Sequence, residues 1–140
     1  MLEVNNNNLV AAILALQFVT FGWRINREIS VGDAGRRTWL PYPDVVNVLS
    51  MLSVVAFCVV LPLKTGQFDN YSRAVLAGSY VLIAFYPLAL VGHYRLLSPG
   101  GRSIYPARGK DYPRCTGQEA VVLIAGLFLA LAASAYVYVA

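Results

Sequence analysis

Apolar residues fall into four long runs separated by shorter polar stretches. The clearest run is residues 73–97, RAVLAGSYVLIAFYPLALVGHYRLL, which carries no Asp, Glu, Lys or Arg between Ala74 and Tyr94. A helix rises about 1.5 Å per residue, so about 20 residues cross the roughly 30 Å hydrocarbon core of a bilayer. The pattern therefore predicts a transmembrane helix in this run.

The other three runs have the same character, and together they predict an all-α membrane protein. We expect one integral membrane domain over residues 1–140, with four helices in an antiparallel up-down bundle. The predicted spans are residues 6–25, 44–63, 73–97 and 117–139, and the longer loops are residues 26–43 and 98–116. The glycines and Asp in residues 32–35 break any helix in the first of these loops.

Prolines and capping residues predict several helix ends. The two prolines in residues 39–43 predict a non-helical stretch, with Asp44 capping or beginning the second span. Pro87 lies past the midpoint of the third span, where a proline usually kinks a helix. Thr116 and Glu119 have the T-x-x-E spacing of a capping box at the start of the fourth span.

Composition supports the membrane assignment. Hydrophobic residues make up 58% of the chain and charged residues only 13%, whereas soluble domains carry about 25% charged residues. The N-terminal run lacks the basic region and cleavage site of a signal peptide, so it is interpreted as an uncleaved span. Cys58 and Cys115 form neither a disulfide framework nor a metal-ligand spacing.

The positive charges are distributed unevenly between the two sides. Nine of the eleven Lys and Arg residues lie in or beside the first and third loops. The positive-inside rule places these loops in the cytoplasm and both termini outside, in a plasma or inner membrane. Six cations of these loops are candidates for contact with anionic lipid headgroups or an acidic partner: Arg36, Arg37, Arg102, Arg108, Lys110 and Arg114. The alternative is that they only anchor the topology.

Four polar residues are predicted to lie at the same depth, at the cytoplasmic ends of three spans. They are His93, Asp44, Asn47 and Glu119. A histidine beside a carboxylate could relay protons or bind a cation, because ionisable groups inside membranes are often functional. The alternative is that His93 is an interfacial residue and Glu119 only completes its capping box.

Within the spans, the candidate polar residues are Gln17, Ser50 and Ser53. They could line a solute path or form hydrogen bonds between helices, and we favour the second interpretation. Two small-residue patterns permit close helix approach, either within the chain or between copies. They are Gly126-x-x-x-Ala130-x-x-x-Ser134 and Ala74-x-x-x-Gly78.

The sequence contains no hydrolytic triad, metal motif or nucleotide-binding fingerprint. We therefore predict a non-enzymatic membrane subunit or scaffold that self-associates or binds a partner complex, without cofactor, metal or nucleic acid. The alternative is a small-solute or ion transporter or channel subunit, and a less favoured one is a lipid-modifying membrane enzyme. A permeation protein would need a hydrated cavity across most of the bilayer, and a lipid enzyme would need a headgroup-sized pocket beside His93.

Overall fold

A computed structural model of the chain describes residues 5–33, 35, 40–97 and 115–140. The regular structure in these residues is entirely helical: α1 (Asn6–Asp33), α2 (Tyr42–Thr65), α3 (Asn70–His93) and α4 (Gly117–Val139). Each of the four is long and apolar enough to cross a membrane. Consecutive helices pack against each other. The predicted all-α, four-helix membrane fold is confirmed.

Helix α1 continues well beyond the predicted end of the first span. It runs to Asp33, and the chain then turns at Gly35, which has a φ of 73°. The helix stops at the predicted glycine-rich break, but residues 26–33 before it are helical rather than loop. An ion pair one turn apart supports this extension, because Arg24 lies 3.1 Å from Glu28 at i, i+4.

The prediction for the start of α2 was wrong. The helix begins at Tyr42, with Pro41 in the N-cap position and Pro43 inside the first turn. Proline is tolerated there because the first-turn N–H groups have no partner within the helix. Asp44 therefore lies in the first turn rather than capping it, and its carboxylate is available to other helices.

The middle of α2 contains a wide turn, Val55–Val60, in which a backbone N–H bonds to the carbonyl five residues earlier in the chain. Leu61 N–H bonds to the carbonyl of Ala56 in this pattern. The next carbonyl, that of Phe57, would need the N–H of Pro62, which proline lacks. The hydroxyl of Ser72 on α3 donates to this carbonyl at 2.6 Å instead.

A short connection then turns the chain into α3. Gly66 ends α2 with a φ of 72°, in the left-handed region that favours glycine. Asp69 caps α3 by accepting the backbone N–H of Ser72 at 2.9 Å, and this bond lowers the pKa of the Asp69 carboxyl. Pro87 lies inside α3, which continues as one helix to His93.

Helix α3 is the central element, because it packs against α1, α2 and α4. The small residues of α3 and α4 face each other within the chain: Ser134 Oγ donates to the carbonyl of Ala74 at 2.9 Å. A Cβ on Gly78 would collide with Ser134, and one on Gly126 would come 3.1 Å from Phe85. The small-residue patterns therefore serve packing within one copy.

Candidate functional site: a polar layer at one end of the bundle

Arg24 is the largest fully buried side chain of the protein's described part and is only 1% exposed. Its Nε donates to Asp44 Oδ2 of α2 at 3.0 Å, and its Nη1 donates to the hydroxyl of Tyr94 at 2.7 Å. Its Nη2 lies 3.1 Å from Glu28 Oε1. One guanidinium thus joins α1, α2 and the end of α3.

Asp44 uses both of its oxygens and is fully buried. Oδ2 accepts from Arg24, and Oδ1 accepts the hydroxyl of Tyr86 at 2.5 Å. Arg27 lies 2.8 Å from Glu28 and stacks 4.8 Å from the centre of the Tyr94 ring. The two arginines and two carboxylates balance in charge, and this pairing compensates the cost of removing the ions from water.

A second cluster joins α3 to α4. His93 Nδ1 lies 2.8 Å from Glu119 Oε2, and Glu119 is fully buried. The predicted capping box is present: Glu119 N–H donates to Thr116 Oγ1, and Thr116 N–H donates to Glu119 Oε2. Thr116 Oγ1 also donates to the carbonyl of Gly92 at 2.6 Å. Glu119 therefore caps α4 and pairs with α3 at the same time.

The two clusters adjoin through neighbouring residues of α3, since the His93 and Tyr94 rings lie edge to face at 5.2 Å. We call the set of Arg24, Asp44, Tyr86, His93, Tyr94 and Glu119 the polar layer. It includes residues from all four helical regions and crosses the bundle from side to side. The predicted cluster is therefore split: His93 contacts Glu119, whereas Asp44 pairs with Arg24.

Asn47 belongs to a third group, deeper in the bundle. Its Nδ2 donates to the carbonyl of Gln17 at 3.3 Å and lies 3.4 Å from Thr20 Oγ1. Gln17 Nε2 donates to Ser50 Oγ at 3.0 Å, between α1 and α2. Ser53 is not part of this group, because its hydroxyl bonds to the carbonyl of Leu49 in its own helix.

These residues continue the polar layer along one helix face. On α1, Gln17, Thr20, Arg24 and Glu28 follow an i, i+3, i+7, i+11 spacing, which places them on one side of the helix. On α2 their partners are Asp44, Asn47 and Ser50. We call these seven residues the polar ladder. It begins at the polar layer and ends at the Gln17–Ser50 bond.

An apolar cluster lies directly beyond that bond. One turn further along α1, Ile13 is fully buried, and Val54 of α2 is fully buried beside it. Val10, Cys58 and Leu76 complete the cluster. We call these five residues the apolar plug. The Cys58 thiol donates to the carbonyl of Ser72. Tyr80 packs against the cluster, and its hydroxyl donates to the carbonyl of Leu9 at 2.8 Å.

Two cavities bear on the chemistry. One of about 10 Å³ lies beside Asn47 and Tyr86 and is otherwise lined by apolar residues; that volume is about one water molecule. The other, an open groove of about 460 Å³, follows Phe21, Ile25 and Ile29 to Leu40. His93 does not line either of them.

Both cysteines are free thiols. Burial, together with the neighbouring carboxylate of Glu119, raises the pKa of the Cys115 thiol. Since the thiolate is the reactive form, this environment makes the residue a poor nucleophile. The described residues contain no group of three His, Cys, Asp or Glu side chains arranged to hold a metal ion.

Sequence reasoning missed the centre of the layer. Arg24 was counted among the cations in or beside the first loop, and Glu28 and Tyr94 were not identified as its partners. Tyr86 was not identified as a partner of Asp44. The i, i+3, i+7, i+11 spacing from Gln17 to Glu28 could have predicted the burial of Arg24. It places Arg24 on the same helix face as Gln17, and a polar face of a membrane span is expected to face the other helices. The six predicted headgroup contacts lie outside the described residues: Arg36, Arg37, Arg102, Arg108, Lys110 and Arg114.

Comparison with known proteins adds no relative to this description. No protein-family model, curated protein or solved structure matches the chain.

Proposed function

We propose that this small polytopic membrane protein is a non-enzymatic structural subunit that associates with further copies of itself or with a larger membrane complex. The ionisable groups of the polar layer are engaged with one another across helices: Arg24 with Asp44 and Glu28, and His93 with Glu119. Groups held in this way fasten helices together. A catalytic or transport site would need some of them to face a substrate.

The observation that carries the proposal is the end of the polar ladder at the apolar plug. Hydrogen-bonding side chains reach from the polar layer to Gln17 and Ser50 and then give way to Ile13 and Val54, both fully buried. A permeation path needs polar or hydrated positions through the whole bilayer. This arrangement favours a structural role over the transporter or channel alternative.

A lipid-modifying enzyme is supported less well. It requires a pocket of headgroup size beside His93, whereas the open groove lies along α1 and Leu40. Glu119 occupies His93 Nδ1, so Nε2 is the nitrogen left to act on a substrate, and His93 lines neither of the two cavities. A histidine acting as a general base needs its free nitrogen within reach of a substrate proton.

The proposed orientation has both termini outside and the polar layer on the cytoplasmic side of a plasma or inner membrane. The asymmetry of Lys and Arg along the sequence supports it, since nine of eleven lie in or beside the first and third loops. The six of these cations in residues 36–37 and 102–114 would contact anionic headgroups there, at about 1 kcal/mol for each residue near the surface. Large apolar side chains on the outer faces of the helices, such as Phe128 and Leu131, are available for association.

The test is the mass of the protein after gentle purification. The chain is extracted from its native membrane in a mild detergent, and the protein mass is measured by light scattering at several protein-to-detergent ratios. We expect a mass of two or more 15.3 kDa chains or a stoichiometric complex, independent of the ratio. A single 15.3 kDa chain without a partner at every ratio would contradict the proposal.

A further inference from the structure

Ser72 is the residue through which the start of α3 holds the wide turn of α2. It is fully buried, and it bonds to two consecutive residues of that turn. Its hydroxyl oxygen lies 2.6 Å from the carbonyl oxygen of Phe57, and its own carbonyl accepts the Cys58 thiol at 3.3 Å. Because Cys58 belongs to the apolar plug, Ser72 joins the wide turn, the plug and the start of α3.

The Ser72 hydroxyl has a second acceptor on its own side of this contact. Asp69 Oδ1 lies 3.0 Å from the hydroxyl oxygen and also accepts the Ser72 backbone N–H at 2.9 Å. A serine hydroxyl carries one proton, so it donates to one acceptor at a time. The Phe57 carbonyl and the Asp69 carboxylate therefore compete for that proton.

Distance and charge favour different acceptors. The 2.6 Å separation from the Phe57 carbonyl is at the short end of the usual range for O–H···O bonds, whereas the 3.0 Å separation from Asp69 is at its long end. A carboxylate, however, is a stronger acceptor than a neutral carbonyl because it carries a charge. The Ser72 N–H lowers the pKa of the Asp69 carboxyl, so this competitor is ionised at neutral pH.

We propose that the Ser72 hydroxyl alternates between these two acceptors and thereby couples the cap of α3 to the attachment of the last segment of α2, Leu61–Thr65. When the hydroxyl points to Phe57, it supplies the donor that Pro62 lacks, and the wide turn is tied to α3. When it points to Asp69, the Phe57 carbonyl loses that donor, and the last segment of α2 is held less firmly. The charge on Asp69 sets the balance between the two arrangements.

The local structure of α2 makes this segment responsive to the loss of one bond. Five residues separate the wide turn from Gly66, which ends the helix. A helical segment this short has few backbone hydrogen bonds of its own and depends on its neighbours. The Cys58 thiol bonds to the Ser72 carbonyl rather than to the hydroxyl, so this contact is available in both arrangements. The change is therefore a loosening at the turn, and it does not depend on whether the protein self-associates.

The carbonyl carbon of Phe57 reports on the coupling directly. The sequence contains a single Phe-Cys dipeptide, Phe57-Cys58. Labelling Phe with ¹³C at the carbonyl and Cys with ¹⁵N therefore gives one carbonyl–amide correlation by NMR for the full chain in lipid nanodiscs. The ¹³C resonance moves downfield when the carbonyl oxygen is more strongly hydrogen-bonded.

Asp69→Asn should move this resonance downfield. The neutral amide still caps α3 but competes less well for the Ser72 hydroxyl. The ratio of Phe57-bonded to Asp69-bonded states should rise roughly fivefold, the difference between a charged and a neutral acceptor. Asp69→Ser, which is also neutral and also caps helices, should move the resonance in the same direction.

Three further variants separate the coupling from a general effect of charge. Ser72→Ala removes the donor and should move the resonance upfield, and Asp69→Asn should then add nothing to Ser72→Ala. Arg73→Gln is the matched control, because it removes a charge from the exposed residue beside Ser72 but leaves both acceptors in place; the resonance should stay where it is. An unchanged resonance in Asp69→Asn overturns the proposal. A downfield shift of the same size when Asp69→Asn is added to Ser72→Ala overturns it as well.

Discussion

At the residue scale, Arg24 decides how the interior is organised. A buried arginine is costly inside a membrane and is retained only where acceptors surround it. Here Asp44, Glu28 and Tyr94 supply them from three different segments. Because each removed partner leaves an uncompensated charge, the network fixes the relative positions of α1, α2 and α3 near the polar layer.

Arg24→Met and Asp44→Asn should each destabilise the folded protein strongly. We expect losses of about 3–5 kcal/mol for Arg24→Met, because Asp44 is then buried without a cation. The double variant should lose markedly less than the sum of the two single variants. The measurement is the free energy of unfolding by SDS in mixed micelles, followed by circular dichroism.

Arg27→Met is the matched control for this cycle. Arg27 pairs with Glu28 from the edge of the network, and its side chain is 38% exposed. Exposed pairs contribute about 1 kcal/mol or less. Additive losses in the double variant, or an equal loss in Arg27→Met, would show that the Arg24–Asp44 pair does not hold α1 and α2 together.

The contacts of single residues could be predicted where residues near them in the sequence determine those contacts. Glu119 was predicted as a cap from its spacing to Thr116, and Gln17 was predicted to bond between helices; the structure has both contacts. Arg24 was not predicted as a buried residue, because basic residues near the end of a span normally mark the interface. The partner that buries it, Asp44, is supplied by another helix.

At the element scale, the wide turn of α2 leaves the Phe57 carbonyl without a backbone donor, and Ser72 of α3 donates to it instead. Ser72→Ala removes the donor to the Phe57 carbonyl, which Pro62 cannot replace. We expect a loss of about 1–3 kcal/mol in the free energy of unfolding, the cost of an unsatisfied buried polar group. In a Pro62→Ala background the restored N–H can serve the carbonyl, so the same substitution should cost less.

Ser53→Ala provides the comparison, since the Ser53 hydroxyl bonds only within its own helix. Its effect should be within about 0.5 kcal/mol of zero. If Ser72→Ala were as mild as Ser53→Ala, or were unaffected by Pro62→Ala, the proposed link between proline, wide turn and serine would fail.

Gly92→Ala should separate the ends of α3 and α4. The added Cβ would lie 2.9 Å from the backbone nitrogen of Glu119, and a backbone atom cannot move aside as a side chain can. We expect a loss of about 1–3 kcal/mol from overpacking. Gly22→Ala is the control, because nothing lies within 4 Å of its Cβ; equal effects at both glycines would contradict close contact at Gly92.

The length of the apolar runs predicted the four helices, but it did not predict where α1 ends or where α2 begins. The end of α1 was predicted too early because Arg24 and Glu28 support each other across a turn beyond the apolar run. The start of α2 was predicted too late because proline was treated as excluded from helices, although a first turn accepts it. An ion pair supports the longer α1, and the tolerance of a first turn for proline explains the earlier start of α2.

At the scale of the whole molecule, the ion pairs of the described residues lie toward one end of the bundle, and the apolar plug lies toward the other. If the polar layer faces the cytoplasm, both termini lie outside. A reporter enzyme active only in the cytoplasm should be inactive when fused after Ala140. The same reporter inserted in the loop of residues 98–114 should be active, and the reverse pattern would refute the orientation.

The central claim is that the polar ladder fastens helices and does not lead through the membrane. Substituted cysteines test it, using membrane-impermeant maleimides from each side. The background carries Cys115→Ser and Cys58→Ala, because Cys58 belongs to the apolar plug and alanine keeps that position apolar. Ile13→Cys and Val54→Cys, both in the apolar plug, should remain unlabelled from either side in intact membranes and become labelled after SDS. Labelling of either position in intact membranes would reveal a hydrated path through the plug and contradict the structural role.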